Sequence, residues 1–144
     1  MTRGLRNNNP LNIRRSRDKW QGMADRQTDK AFVQFTDRKY GYRAAFIILK
    51  NYMKVDINTI NRIIHRWAPS SDGNNTQSYI QFVSQTTDIP ANRHLRFSDR
   101  NSLIALVRSM AQMESGIIED IKLLEEAYDL SLTPNPSPKG EGSK

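Results

Sequence analysis

The sequence predicts an α+β domain, mostly α, with about five helices and one small β-hairpin over residues 1–130, and a tail over 131–144. Three observations carry that prediction. Apolar residues recur at helical spacing in five separate segments. One stretch, residues 19–36, alternates and is aromatic around a polar turn. The final segment, rich in Pro, Gly and Ser, has nothing with which to build a core and is expected to be disordered.

Residues 1–19 contain Asn7-Asn8-Asn9-Pro10, a loop signal without helical period. Pro10 holds Asn9 extended. The asparagine amides either bind their own backbone or face a sugar. Lys19 to Met23 reads as one hairpin arm and Ala31 to Phe35 as the other, with Asp25 to Asp29 as the turn. Asp37 caps a helix over about 38–54, whose stripe is Tyr42, Ala45, Phe46, Leu49 and Met53. Thr59 caps a second helix, Ile60 to Trp67, which stops before Pro69. After a polar loop from Ser70 to Asn75, a third helix covers about 76–86, with Tyr79, Ile80, Phe82 and Val83. Residues 87–97 are irregular, and Ser98 is expected to cap the fourth helix, Leu103 to Glu114. The fifth, Ile117 to Leu130, carries an acidic outer face, as solvated faces do.

The fourth helix presents Leu103, Val107, Met110, Ala111 and Glu114 on one side. Four of these are core residues. Glu114 is a carboxylate on the same stripe, so it either frays into solvent at the helix end or has a partner or a task.

Composition narrows the function. The chain has 144 residues and no cysteine, so disulfides and thiolate metal sites are excluded. No apolar run is long enough to span a membrane, and the first 15 residues lack the apolar core of a signal peptide. A soluble protein that leaves by lysis or another route is expected. The net charge of +7 is uneven: residues 1–66 hold 15 Lys/Arg against 5 Asp/Glu, residues 67–144 hold 7 against 10. A basic half favours polyanions, either nucleic acid or an anionic cell envelope. No phosphate-binding glycine loop and no Ser–His–Asp spacing is present. His65 and His94 lack helical partners, so neither a metal nor a cofactor is expected. Trp20, Tyr40, Tyr42, Trp67 and Tyr79 lie at or near element ends, where rings either fill the core or line a sugar-binding groove.

The opening Arg3-Gly4-Leu5-Arg6-Asn7-Asn8-Asn9-Pro10-Leu11-Asn12-Ile13-Arg14 resembles phage and prophage proteins, often labelled virion structural proteins. The likeness continues through Trp20-Gln21-Gly22, Phe32-Val33-Gln34-Phe35, Tyr40-Gly41-Tyr42-Arg43-Ala44, Arg66-Trp67-Ala68-Pro69 and Tyr79-Ile80. Leu11 departs from it, standing where members carry glycine. A second likeness is to lytic transglycosylases and bacterial glucosaminidases, on Met110-Ala111-Gln112-Met113-Glu114-Ser115-Gly116 and on Asn75-Thr76-Gln77-Ser78-Tyr79-Ile80. The Asn9 to Phe35 segment then precedes the glutamate instead of following it, which suggests a circularly permuted lysozyme-like domain. That resemblance implies a peptidoglycan glycosidase with Glu114 as its catalytic acid, bearing a desolvated, raised carboxyl. Asp25 and Asp29 are the only candidate second carboxylates, so transglycosylase chemistry, which needs none, is favoured. Tyr79, Trp67, Asn9, Asn12, Trp20 and Tyr40 would hold the glycan strand. The expected partners are peptidoglycan and other virion proteins, and the place of action is the virion, or the host cell before lysis, and then the cell wall. Two alternatives stand beside this: a non-catalytic structural or glycan-binding phage protein that keeps the same fold, and a nucleic-acid binder using Arg3 to Arg17.

Overall fold

The computed structural model describes residues 1–134. The expected tail therefore lies, from residue 135 on, outside the described residues. Six α-helices follow one another: α1 (Arg3–Arg6), α2 (Arg38–Lys54), α3 (Ile60–Trp67), α4 (Thr76–Thr87), α5 (Arg100–Ser115) and α6 (Ile121–Ser131), with a 3₁₀ turn at Ser70–Asp72.

Local chemistry sets the helix ends. The side chains of Asp37, Thr59, Asn75 and Asp120 accept hydrogen bonds from the first-turn amides of α2, α3, α4 and α6. α5 starts three residues earlier than its apolar stripe suggested. Its N-cap is Asp99, not Ser98, and the Asp99 carboxylate accepts from the Arg96 amide rather than from the helix. Gly116, at φ +70°, closes α5 in the left-handed conformation that suits glycine. α6 begins at Ile121, so residues 117–120 form a connection and not a first helical turn.

α2 lies at the centre, packed along α6, while α4 lies against both α3 and α5, and α5 against α6. Tyr42, Phe46, Ile48 and Leu49 of α2 meet Ile60, Ile63, Ile64, Leu103, Leu106, Val107, Met110 and Leu124 in one continuous core. Tyr128 puts its ring edge-on to Phe46 at 5.4 Å. Two buried charges lock α2 in place. Arg43 donates from Nε and Nη2 to the carbonyls of Leu130 and Thr133, neutralising the negative end of α6. Glu119 accepts from Tyr42 Oη at 2.8 Å and from Arg38 Nε at 2.8 Å, which ties the α5–α6 connection to the start of α2. Burial, then the Glu119 carboxylate, push the Tyr42 phenol far above its usual value.

The expected hairpin is absent. Among the described residues there is no strand, only two isolated antiparallel bridges, Arg14 with Phe32 and Met23 with Phe35. The fold is α-helical, and the α+β, lysozyme-like class inferred from sequence is corrected. Phe32 to Phe35 does extend, as its alternation predicted, but it is shared between two partners instead of pairing along one. Val33 N–H goes to Ile13 O, Phe35 N–H to Asn7 O, and Ala24 N–H to Gln34 O. Side chains take the amides that a ladder would have used. Asp29 Oδ1 accepts from the amides of Ala31 and Phe32, Gln27 Oε1 from that of Gln34, and Gln34 Oε1 from those of Thr28 and Asp29. A residue whose backbone is satisfied by a neighbouring side chain has no need of a sheet partner.

The asparagine run follows the same logic. Asn9 is fully buried; its Nδ2 donates to the carbonyls of Ile13 and Val33, and its Oδ1 accepts from Ile13 N–H, all at 2.9 Å. Asn8 and Asn12 take left-handed φ values of 52° and 54°, which asparagine tolerates better than most residues. Leu11 does not occupy a left-handed position; its side chain is fully buried in the core.

Two outcomes follow from these contacts. Asn9→Ala leaves Ile13 N–H and Val33 O without their buried partner. At 1–3 kcal/mol for an orphaned buried group, stability should fall by about 3 kcal/mol, read as a lower urea midpoint at unchanged slope. Asp29 is held well below the usual carboxylate range, first by Arg3 and then by the Phe32 amide. A depressed carboxylate stabilises the fold above its unfolded value of 3.8, and that contribution fades as pH falls further. The melting temperatures of wild type and Asp29→Asn should therefore differ at pH 6 and converge towards pH 2.

Candidate functional site

The end of α5 brings together residues that are far apart in sequence. Glu114 is half-buried. One of its oxygens accepts from Asn12 Nδ2 at 3.0 Å and the other from Tyr79 Oη at 3.0 Å. Tyr79 is buried on α4, whose N-cap Asn75 turns the chain so that the ring lies towards α5. Desolvation, and then the negative charge of Glu114, raise the Tyr79 phenol well above its usual value, so it stays a hydrogen-bond donor at any ordinary pH.

The next residue, Ser115, fixes this geometry. Its Oγ donates to Pro10 O at 2.7 Å, and its carbonyl accepts from Thr2 Oγ1. Gly4 of α1 lies against the same hydroxyl, the Asn12 amide oxygen and the Asn9 carbonyl; a Cβ there would collide with the hydroxyl and crowd the other two. Trp67, at the end of α3, donates from Nε1 to Leu11 O at 3.3 Å. The asparagine loop is thus pinned from both sides, by α3 and by α5.

Two hollows adjoin at Glu114. One, of about 140 Å³, is lined by Leu11, Asn12, Arg14, Trp67, Asp72 and Asn74 as well as Glu114. The other, of about 230 Å³, is lined by Asn74, Asn75, Ser78, Tyr79, Met113 and Glu114. Together they form a groove with Glu114 in its wall and Asn74 at the lip, where Gly73, at φ +82°, turns the chain.

Of the residues singled out in the sequence, Glu114, Tyr79, Asn12 and Trp67 converge here. Asn9, Trp20 and Tyr40 do not line either hollow. Asn9 is enclosed behind Asn12, Trp20 is buried in the core, and Tyr40 packs against Gly22, whose φ of +79° and missing Cβ leave room for the ring. Sequence reasoning missed Arg14, Asp72 and Asn74 as lining residues. Asp72 and Asn74 stood in a polar stretch that read as plain loop, and Arg14 was one basic residue among many. Asp29 is committed to Arg3, Asn7 and two backbone amides, and Asp25 is exposed.

The glycosidase reading does not survive this geometry. The sheet wall of a lysozyme-like domain is missing among the described residues. No group of three or more His, Cys, Asp or Glu side chains gathers as a metal-holding cluster among them either. The expected transglycosylase or muramidase activity and the circularly permuted lysozyme-like domain are therefore corrected; the hollows beside Glu114 are walled by helices α3, α4 and α5 and by the irregular segment that carries Leu11, Asn12 and Arg14. No helix is long and apolar enough to cross a membrane among the described residues.

No protein-family model matches the chain. Over 118 residues it is 40% identical to Protein P5 of Pseudoalteromonas phage PM2, an alignment covering 79% of this chain and 71% of that protein. The phage side of the sequence resemblance agrees with this relative, and the lysozyme-like side has no support from it. At that identity and coverage, the chain belongs to the family of phage Protein P5.

Proposed function

We propose that this is a virion-associated phage protein that binds the glycan strand of the host cell wall in the Glu114 groove without cleaving it. The observation that carries the proposal is the fixed carboxylate: Glu114 is held by Asn12 and Tyr79 in a groove that also offers Trp67, Asn74 and Asn75. Sugars present hydroxyl and amide donors together with apolar ring faces. A positioned carboxylate, an indole and primary amides are complementary to such a surface. A carboxylate held in place before binding loses little freedom when the ligand arrives.

Charge supports the same reading. Arg6, Arg14, Arg15, Arg17, Arg26 and Lys30 are all exposed in the irregular first third of the chain, on which the groove's asparagine wall is built. A basic surface of this kind raises the encounter rate with an anionic envelope, and the gain fades with salt. The phage relative fits a protein that meets a bacterial wall, and other virion proteins would be its second class of partner.

Co-sedimentation with purified peptidoglycan sacculi at physiological salt tests this. Wild type should pellet with the sacculi and release no soluble fragments. Glu114→Gln keeps the shape but loses the charge-assisted acceptor, and should bind about tenfold more weakly. Equal pelleting of both proteins, or wild type left in the supernatant, refutes the assignment.

A further inference from the structure

The groove holds a cation that neither the fold nor the proposed sugar contacts account for. Arg14 lines the smaller hollow together with Glu114 and Asp72. Its guanidinium lies 5.4 Å from the Phe32 ring centroid, and its side chain is exposed. Among the described residues it makes no ion pair and no side-chain hydrogen bond. The contrast with its neighbours is plain: Arg3 is paired with Asp29, Arg38 with Glu119, and Arg100 with Glu125 and Asp129. The backbone of Arg14 is fixed by its bridge to Phe32, which places the root of its side chain beside the hollow.

Resting on the glycan-binding reading, we infer that the groove selects a saccharide unit that carries a carboxylate. Arg14 pairs with the ligand's carboxylate through the planar fork that suits such a group. Glu114 accepts from a hydroxyl or amide N–H of the same unit, and the largely buried Trp67 gives the hollow an apolar floor. The unlike charges in one hollow impose a direction. A carboxylate placed against Glu114 or Asp72 is repelled, and one placed against Arg14 is attracted, so the unit enters one way round. A hollow of about 140 Å³ suits one such unit rather than a longer stretch of strand.

The test compares sacculi with native carboxylates against sacculi whose carboxylates have been converted to methylamides. Three proteins are used: wild type, Arg14→Gln, and Arg17→Gln as a variant of equal net charge, Arg17 not being among the residues that line the hollow. Wild type and Arg17→Gln should prefer native sacculi by about tenfold more than Arg14→Gln does, as expected for loss of one charge-assisted pair. An equal preference in all three proteins would mean that the discrimination is general electrostatics, and would overturn the inference. If wild type pellets with neither preparation, the glycan-strand reading fails on its own. The carboxylate preference is then read from the Trp67 indole N–H resonance titrated with D-glucuronate and with D-glucose. A shift with both sugars alike, or with neither, overturns it; a shift with glucuronate alone that Arg14→Gln abolishes sustains it. Unchanged melting temperatures of the two variants confirm that folding is not what is being measured.

Discussion

The structure depends on the buried amide of Asn9. Residues 1–37, without sheet or long helix, must satisfy their backbone polar groups in some other way, because an unpaired buried amide costs as much as a hydrogen bond gains. Asn9 meets that demand by bonding Ile13 at both N–H and O and Val33 at O. Gln27, Asp29 and Gln34 extend the same device along residues 24–34. The result is an irregular layer fixed by side-chain amides and one carboxylate. It presents Leu11 O to Trp67 and the Asn12 amide to Glu114.

The groove therefore owes its shape to two kinds of rigidity. The helical half supplies Glu114 and Tyr79 on elements anchored by the core. The irregular half supplies Asn12 and Arg14 on a loop anchored by buried hydrogen bonds. A binding site needs its polar groups placed before the ligand arrives, and both halves achieve this without a sheet. With a phenol and an amide donating to its two oxygens, Glu114 is held in one orientation in the wall of both hollows.

Much of the helical part was legible in the sequence. The stripes of Tyr42, Phe46 and Leu49, and of Leu103, Val107 and Met110, describe α2 and α5 because burial on one face leaves a period of 3.6. Asp37 and Thr59 marked helix starts because each side chain can accept from a first-turn amide there, whereas Asn75, which caps α4 in the same way, read only as loop. Glu114, Tyr79, Asn12 and Trp67 were grouped in the sequence only through a resemblance to a fold the protein does not have; the structure sets them beside the same hollows. What misled was the alternating segment Ala31 to Phe35. Alternation reports that one side of an extended chain is buried; it does not report what its amides bond to. Here Phe32 and Phe35 meet different partners, and side chains complete the pairing. Asp99 in place of Ser98 at the start of α5 is a smaller error of the same kind. Either residue can cap, and the choice follows from how the preceding loop closes around Arg96.

The contact between Gly4 and the Ser115 hydroxyl has a consequence for synthesis. The wall of the groove that carries Asn12 is held from outside by a residue made more than a hundred positions later. While the chain is still emerging, the asparagine loop can form its own internal bonds, but it has no Ser115 to donate to Pro10 and no Glu114 for Asn12 to reach. Contacts of such long sequence separation form late, after the loop-closure entropy has been met by the core. A translation product that stops short of α5 would hold most of the basic surface and, of the groove's lining, Asn12, Arg14, Trp67 and Tyr79, but neither Glu114 nor the Ser115 hydroxyl that ties the asparagine loop to the helices.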